Sequence, residues 1–565
     1  MAKIPYGLSN FADLRDENYI YIDKTKYIEI LESYGEKYIF FLRPRRFGKT
    51  LFLSTLEHYY DIQQKENFDK LFGDLYIGQN KTKRANSYYI LSFDFSSIES
   101  STKENLFKEF RFIVLEAINK FINKYQIEMD FKPEIESPAL ILSSFLTEVQ
   151  YKIDAKIYLL IDEYDHFANE ILGFKNLTKF NDIISRHGFV RKFFEAVKKM
   201  SGEVIDRLFV TGVSPITLDS MTSGFNIASN LTTDPNFNQA LGFTEEEIKP
   251  LLEEIAVTKK EKEKLMLKLK EYYNGYLFSH YADKKVFNSD MILYYFNSYQ
   301  KSGREPEELI DSSIVSDYSK LQNLFSLKNR KQNMTILEDI LSGREQMGKV
   351  TREFNLQQKF NKKDFLSLLF YLGFLTIDRE ENGFIYFRVP NYAVQEIYFD
   401  YFAQIIEGET EFDSIEIEAS VVEIIKNGKI TNFISKVEST LKTLSNRDYI
   451  QFDEKYIKVI IFSYLNLSTL SLVKSEYEVE EGYIDLVIFR RNKENGNYDA
   501  LIELKYIKAA DYKEKGEVLV EQKLKEAVEQ LDRYGRAAEF KDRKDLKKWA
   551  IVFAGTEAAA VEEIE

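Results

Sequence analysis

Over roughly the first 250 residues, short unbroken apolar runs alternate with amphipathic stretches. Tyr38–Leu42, Tyr89–Phe95, Ile157–Ile161 and Leu208–Thr211 are apolar runs of strand length, and the segments between them carry helical periodicity. Strands apolar on both faces are buried, and buried strands alternating with helices predict a parallel sheet covered on both sides. From about 246 to 425 the pattern turns mainly helical: Glu245–Ile255, capped by Thr244, and Lys259–Tyr273 read as charged amphipathic helices. A helix over Asp364–Leu372 precedes two strand-like segments, Phe374–Arg379 and Phe384–Val389, joined through Asn382-Gly383, a hairpin signal. Helix followed by hairpin predicts a winged-helix unit. Beyond about 425 the pattern gives helices over Lys426–Lys442 and Glu454–Leu465 and paired strands over Tyr483–Arg491 and Tyr498–Lys505. A long charged helix at about 514–538 and a strand over Trp549–Ala554 complete it. The expected class is α/β in three domains: 1–245 with a parallel sheet, 246–425 helical with a winged-helix segment, and 426–565 again α/β.

Composition narrows the chemistry. The 565 residues include no cysteine, which removes disulfides, thiolate metal sites and a cysteine nucleophile. That suits a reducing compartment, and a cytoplasmic location is expected. The N-terminus has no apolar core of signal-peptide type and no stretch approaches the length of a membrane span, so no membrane partner is expected. The net charge of −14 does not announce a nucleic-acid binder, although local patches rather than totals set the field a ligand meets. Self-association into a homo-oligomer stays open.

The sequence from Tyr38 to Phe52 is YIFFLRPRRFGKTLF: apolar strand, loop, Gly48-Lys49-Thr50, helix. This is the order of a Walker A phosphate loop. Backbone N–H groups from Arg46, Phe47 and Gly48 through Thr50 and Leu51 would face a phosphate, aided by the helix dipole. Lys49 would reach the β and γ phosphates, and Thr50 would offer its hydroxyl to Mg²⁺. The motif departs from GxxxxGK[ST] at its first glycine, where Arg43 stands, followed by Pro44. A second apolar strand ends in Asp162-Glu163, a Walker B pattern. Asp162 would hold the metal ion through water, and Glu163 would orient and activate the attacking water. A third, Leu208–Thr211, leads to Ser214, so Thr211 or Ser214 would sense the γ-phosphate. Arg45 and Arg46 flank the loop, and the sequence leaves their partner open.

The strings RPRRFGKT, PYGLSNFADLRDENYIYIDKTKYI, LIDEYD and YYNGYLF (272–278) together resemble the AAA-ATPase-like family, over nearly the whole chain and in the family's order. The resemblance implies a P-loop fold, ATP as the nucleotide, and Arg43 as the family's own loop variant. It also implies a C-terminal PD-(D/E)XK nuclease-superfamily domain. The segment Ile20–Thr25 is expected either beside the nucleotide base or as a packing strand with a helix cap.

The C-terminal pattern agrees. Asp485 lies on one strand and Glu503-Leu504-Lys505 on the next. Residues i and i+2 share a strand face, so Glu503 and Lys505 would converge with Asp485. Two carboxylates hold a hard divalent cation, and a lysine beside them positions or deprotonates water. Gln530 and Tyr534, one helical turn apart, resemble the QxxxY element of RecB-type nucleases. By the same resemblance Glu454 would supply the first acid of the site, with Glu476 and Glu478 as rivals. The four histidines, His58, His166, His187 and His280, make no pair at zinc-ligand spacing. The expectation is an ATP-hydrolysing protein with Mg²⁺ at both sites and a nuclease-like domain acting on DNA, ATP turnover gating access to it. The alternative is a nucleotide-dependent switch whose nuclease-like domain binds without cleaving.

Overall fold

In the computed structural model, residues 3–98, 102–129, 131, 134–166, 188–215, 227–255, 258–311, 325, 330–352, 354, 361–409, 413–444, 454–491, 496–541 and 543–564 are described. They fall into two units, Met1–Asn333 with Gln346–Ala393, and Met334–Glu345 with Val394–Glu565.

In the first unit the four apolar runs become β1 (Tyr38–Leu42), β2 (Tyr89–Asp94), β3 (Ile157–Asp162) and β4 (Ile205–Gly212), joined by a two-residue β5 (Ser229–Asn230). The order is β2-β3-β4-β1-β5 and every pairing is parallel. β3 is buried at all six positions, which is why its sequence shows an apolar run instead of alternation. Parallel strands bring their carboxyl ends to one edge, so the residues that follow Leu42, Asp94 and Gly212 gather with the tip of β3. Ligands of open α/β sheets bind at that edge. β5 is too short to leave a periodic signal.

Glu245–Ile255 and Lys259–Tyr273 form as expected. The first starts on a capping pair, Thr244 N donating to Glu247 Oε2 (2.8 Å) and Glu247 N to Thr244 Oγ1 (3.3 Å). Further on, β6 (Gln346–Gly348), β7 (Thr376–Glu381) and β8 (Phe384–Arg388) form an antiparallel sheet in the order β6-β8-β7. Asn382 and Gly383 turn the hairpin with φ of 54° and 81°, the two positive values a type I′ turn needs.

A helix followed by a hairpin is therefore present, yet the helix is not a groove reader. Phe365 through Tyr371 of the helix Lys362–Tyr371 are all buried. Phe370 packs on Phe278 (centroids 6.1 Å apart), Tyr371 on Phe354 (6.1 Å), and the following Gly373 lies against Pro44. A helix covered on every side cannot lie in a nucleic-acid groove; this one supports the phosphate loop from beneath.

The second unit is a five-stranded mixed sheet of β9 (Ser471–Val479), β10 (Gly482–Arg490), β11 (Asp499–Ile507), β12 (Leu546–Ala554) and β13 (Glu557–Ile564), in the order β13-β12-β11-β10-β9. Only β11 and β12 pair in parallel, and the helix Glu517–Tyr534 supplies the crossover that such a pair requires. The two long helices expected from the pattern are each broken at a glycine. Ser414–Asn427 stops at Gly428 (φ 63°) before Thr431–Leu444 begins, so Lys426–Lys442 is not one helix. Likewise Gly516 (φ 56°) separates Ala509–Lys515 from Glu517–Tyr534. The left-handed conformation ends a helix, and only glycine adopts it without strain. Among the described residues no helix is long and apolar enough to cross a membrane.

The YYNGYLF segment is held by one close approach. Gly275 has φ of 114°, and a Cβ there would lie 1.9 Å from the carbonyl oxygen of Pro390. Gly275→Ala should cost about 3 kcal/mol or more through combined strain and overlap. Chemical denaturation checks this, and a variant within about 0.5 kcal/mol of the parent would contradict it.

Candidate functional sites

Strand β1 runs straight into the loop 43–48. Gly48, at φ 87°, is the cap residue of the helix Lys49–Tyr60, and Arg46 also takes a positive φ, 68°. The Lys49 side chain is buried, donating to the carbonyl of Pro44 (3.2 Å) and pairing with Glu163 Oε1 (3.3 Å). Thr50 Oγ1 donates to Asp162 Oδ2 at 2.7 Å. The loop lysine and threonine thus meet the two acids at the tip of β3. Glu163 itself takes φ of 49°, so the chain bends sharply there and its N–H turns back to Asp162 Oδ1 (2.9 Å).

Burial, and next the charge of Glu163, push the Asp162 carboxyl up to about 6. Glu163 moves the other way. Burial disfavours its charge, but Lys49, Arg45 and His166 outweigh that and hold it below the usual carboxylate range. Glu163 Oε2 and Thr211 Oγ1 are buried with no hydrogen-bond partner among the described residues. Buried polar atoms without partners are costly, and these two lie at the carboxyl ends of neighbouring strands beside the loop. Thr50 and Asp162 are oxygen donors held side by side, a fitting pair for a hard cation.

Of the two residues considered for γ-phosphate sensing, Ser214 has a structural duty. Its Oγ and N both donate to Asp165 Oδ2 (3.0 and 2.7 Å), and Val213 N donates to Asp165 Oδ1 (2.9 Å). Asp165 is the second aspartate of LIDEYD. Its fully buried carboxylate ties the turn after β4 to the turn after β3.

Arg43 points away from the phosphate face. It is 1% exposed, donates to the carbonyls of Leu42, Thr232 and Phe237, and lies over the rings of Phe41 (4.4 Å) and Phe278 (4.1 Å). Phe47 wedges edge-on against Tyr276 and Phe278, and its carbonyl accepts from Gly242 N. YYNGYLF is thus the floor of the loop. On the other flank, Asp290 N and Ser289 Oγ donate to the Arg46 carbonyl, and the Arg46 guanidinium pairs with Asp290 (3.4 Å).

A cavity of about 430 Å³ opens over the loop. Arg45 to Leu51, Glu163 and His166 line it, together with apolar side chains that include Pro5, Leu8, Ile20, Ile22, Leu241 and Phe243. Ile20–Thr25 forms no strand, and its residues contribute to the cavity wall and to two turns. Ile20, Tyr21, Ile22 and Lys24 face the cavity, while Asp23 caps two turns by accepting from Thr25 N (2.8 Å) and Tyr76 N (2.7 Å).

In the second unit, Asp485 on β10 and Glu503 on β11 are both buried. Leu504 N donates to Asp485 Oδ2 (2.7 Å), and Lys505 Nζ to Glu503 Oε1 (2.8 Å). Burial, and then the charge of Asp485, raise the Glu503 carboxyl to about 7. A residue that the motifs had not singled out, Lys458, completes the cluster. Its Nζ lies 2.6 Å from Asp485 Oδ1, 3.2 Å from Glu476 Oε1 and 3.5 Å from Glu454 Oε1. Burial alone would favour the neutral amine; Asp485, Glu476 and Glu454 outweigh it and keep Lys458 above its usual range. A cavity of about 360 Å³ is lined by Glu454, Lys455, Lys458, Glu476 and Asp485. Tyr534 lies apart from it, in the apolar cluster with Ile484, Leu501 and Leu531, its hydroxyl against Gly482. Gln530 is half-buried on the same helix, and neither residue lines the cavity.

Comparison with known families places names on these two geometries. Residues 5–222 match the family described as Predicted AAA-ATPase, and residues 452–563 match the PD-(D/E)XK nuclease superfamily. The chain carries an AAA-ATPase-like domain and a PD-(D/E)XK nuclease-superfamily domain. It is also 24% identical over 318 residues to a protein of Azotobacter chroococcum mcd 1, "Uncharacterized protein in vnfD 5'region", covering 55% of each chain. The match therefore spans about half the length of that relative.

In the AAA-ATPase-like domain the unusual Arg43 now has a physical reason: at this position the guanidinium fastens β1 to the segment 232–237. Arg43→Gly, which restores the glycine of the common loop pattern, should lower stability by about 2–4 kcal/mol by leaving buried carbonyls unmet and a cavity behind. Thermal or chemical denaturation measures this; unchanged stability with improved nucleotide binding would refute the assignment. Asp165 and Lys458 were the residues that motif reading passed over. The signal for Asp165 was a third acid after a strand that needed only two. For Lys458 it was a lysine one turn after Glu454 on a mainly apolar helix.

Proposed function

We propose that the protein binds and hydrolyses ATP with Mg²⁺ and that its PD-(D/E)XK domain acts on DNA, ATP turnover gating that action. The observation that carries the reading is the meeting of Lys49 and Thr50 with Glu163 and Asp162, beside a cavity open to solvent. Backbone amides of 46–51 and the Lys49 ammonium receive the phosphates. The apolar side chains of Ile20 and Ile22 accommodate the base. Glu163, kept anionic by Lys49 and Arg45, accepts a proton from the attacking water. Thr211, with its hydroxyl unmet, faces the γ-phosphate. Thr50 and Asp162 would hold Mg²⁺, which would supply neutralisation of the phosphate charge.

In the nuclease-like domain Asp485 and Glu503 would hold a divalent cation, with Glu454 completing the acidic set, and the cation would supply polarisation of the phosphodiester. Lys505, anchored on Glu503, orients the hydrolytic water. Gln530 and Tyr534 support the site from the crossover helix. A second reading, in which this domain binds DNA without cutting it, is favoured by one observation: the Lys458 ammonium already sits on Asp485.

Three substitutions separate the roles. Lys49→Ala should abolish ATP binding, and ATP retained at the parental affinity would remove the loop assignment. Glu163→Gln should leave binding intact while turnover falls about 10²-fold or more. Lys505→Ala should eliminate cleavage of linear DNA in Mg²⁺ or Mn²⁺ and spare ATPase activity. A parent protein that binds DNA but never cuts it selects the second reading.

A further inference from the structure

Lys458 is the feature that neither the motifs nor the family match assign. It rises from the helix Glu454–Leu465, one turn after Glu454, and its ammonium lies within 4 Å of three carboxylates from three elements: Glu454, Glu476 on β9 and Asp485 on β10. The closest contact, 2.6 Å, is to Asp485 Oδ1, the oxygen that Leu504 N leaves available by bonding to Oδ2. Lys505 already serves Glu503, so the cluster holds two ammonium groups for two buried acids. Glu476 takes a left-handed φ of 48° within a strand, an unfavourable conformation for a residue with a side chain.

We propose that Lys458 is a built-in competitor of the divalent cation: its ammonium holds the Asp485 carboxylate until a metal ion displaces it. The inference rests on the reading of this cluster as a cation site. The chemistry is an exchange of charge. Two cations cannot share the same carboxylate oxygen closely in a partly desolvated site, because their repulsion is weakly screened there. The flexible stem of lysine lets the displaced ammonium swing toward the cavity, which Lys455 and Arg344 also line. A positive group released there is placed for a phosphodiester backbone. Metal binding and nucleic-acid binding would then be linked through one side chain.

The test is calorimetric titration of Mn²⁺ into the full chain without nucleotide. An Asp162→Asn background removes the other cation donor. Lys458→Met should bind Mn²⁺ about tenfold or more tightly than its background, and adding Asp485→Asn should remove that binding. In chelator the Lys458→Met protein should melt below its background and recover more on addition of Mn²⁺. Equal or weaker Mn²⁺ binding by Lys458→Met, with the background still binding through Asp485, overturns the competition alone. Absence of Asp485-dependent binding in both overturns the cation-site reading and the competition with it. If Lys458→Met does not fold, Lys458→Arg keeps the charge and decides the matter. It should bind Mn²⁺ no more tightly than its background, and tighter binding contradicts the proposal.

Discussion

A charge withdrawn from water must be met by an opposite charge or a ring of hydrogen bonds, and that constraint organises each unit of this protein. At the edge of the parallel sheet, Asp162 and Glu163 are met by Thr50 and Lys49, which ties the tip of β3 to the loop after β1. One residue pair further on, Asp165 is met by the backbone and hydroxyl of Ser214, which ties the same turn to β4. In the mixed sheet, Asp485 and Glu503 are met by Lys458 and Lys505. Glu503 is met within its own strand, whereas the partners of Asp162, Glu163, Asp165 and Asp485 come from other elements. The latter contacts are therefore also long-range fastenings of the fold.

Much of this was legible in the chain. Strands buried on both faces leave apolar runs, and β1 to β3 could be read from theirs nearly to the residue, while β4 starts earlier, at Ile205, because Asp206 and Arg207 interrupt its run. The helix Glu454–Leu465 and the Asn382-Gly383 hairpin were equally plain, the latter because two consecutive positive φ values restrict the turn to such residues. What could not be read has specific causes. β5 is two residues long, and β9 and β13 carry exposed or half-buried faces whose mixture of Glu, Lys and Ala has no clean period. The long helices were misjudged because Gly428 and Gly516 interrupt charged sequence whose periodicity resumes on the far side.

At the sites, the motif residues were visible because chemistry restricts their types. Their partners were not, because a buried ion pair between distant segments leaves no spacing rule. Arg43 shows the difference. From sequence it is a departure at a loop glycine; in the fold it is a buried cation held by three carbonyls and two aromatic faces. The hairpin after β6 teaches the converse. Its order of elements suggested a winged-helix unit, and only the burial of Phe365 to Tyr371 reveals the helix as a support.

The loop that bears Gly48 is stiff before any ligand arrives. Pro44 fixes one torsion, Arg43 is clamped, Phe47 is wedged between Tyr276 and Phe278, and Arg46 is pinned through its carbonyl by the residues at 289–290. A cradle of this kind has little conformational freedom left to surrender on occupation, so more of the intrinsic attraction for an anion appears as affinity. The corollary is intolerance. A ligand whose phosphates depart from the fixed curvature of the cradle cannot be accommodated by local rearrangement, and selectivity among anions then follows from rigidity instead of from added contacts.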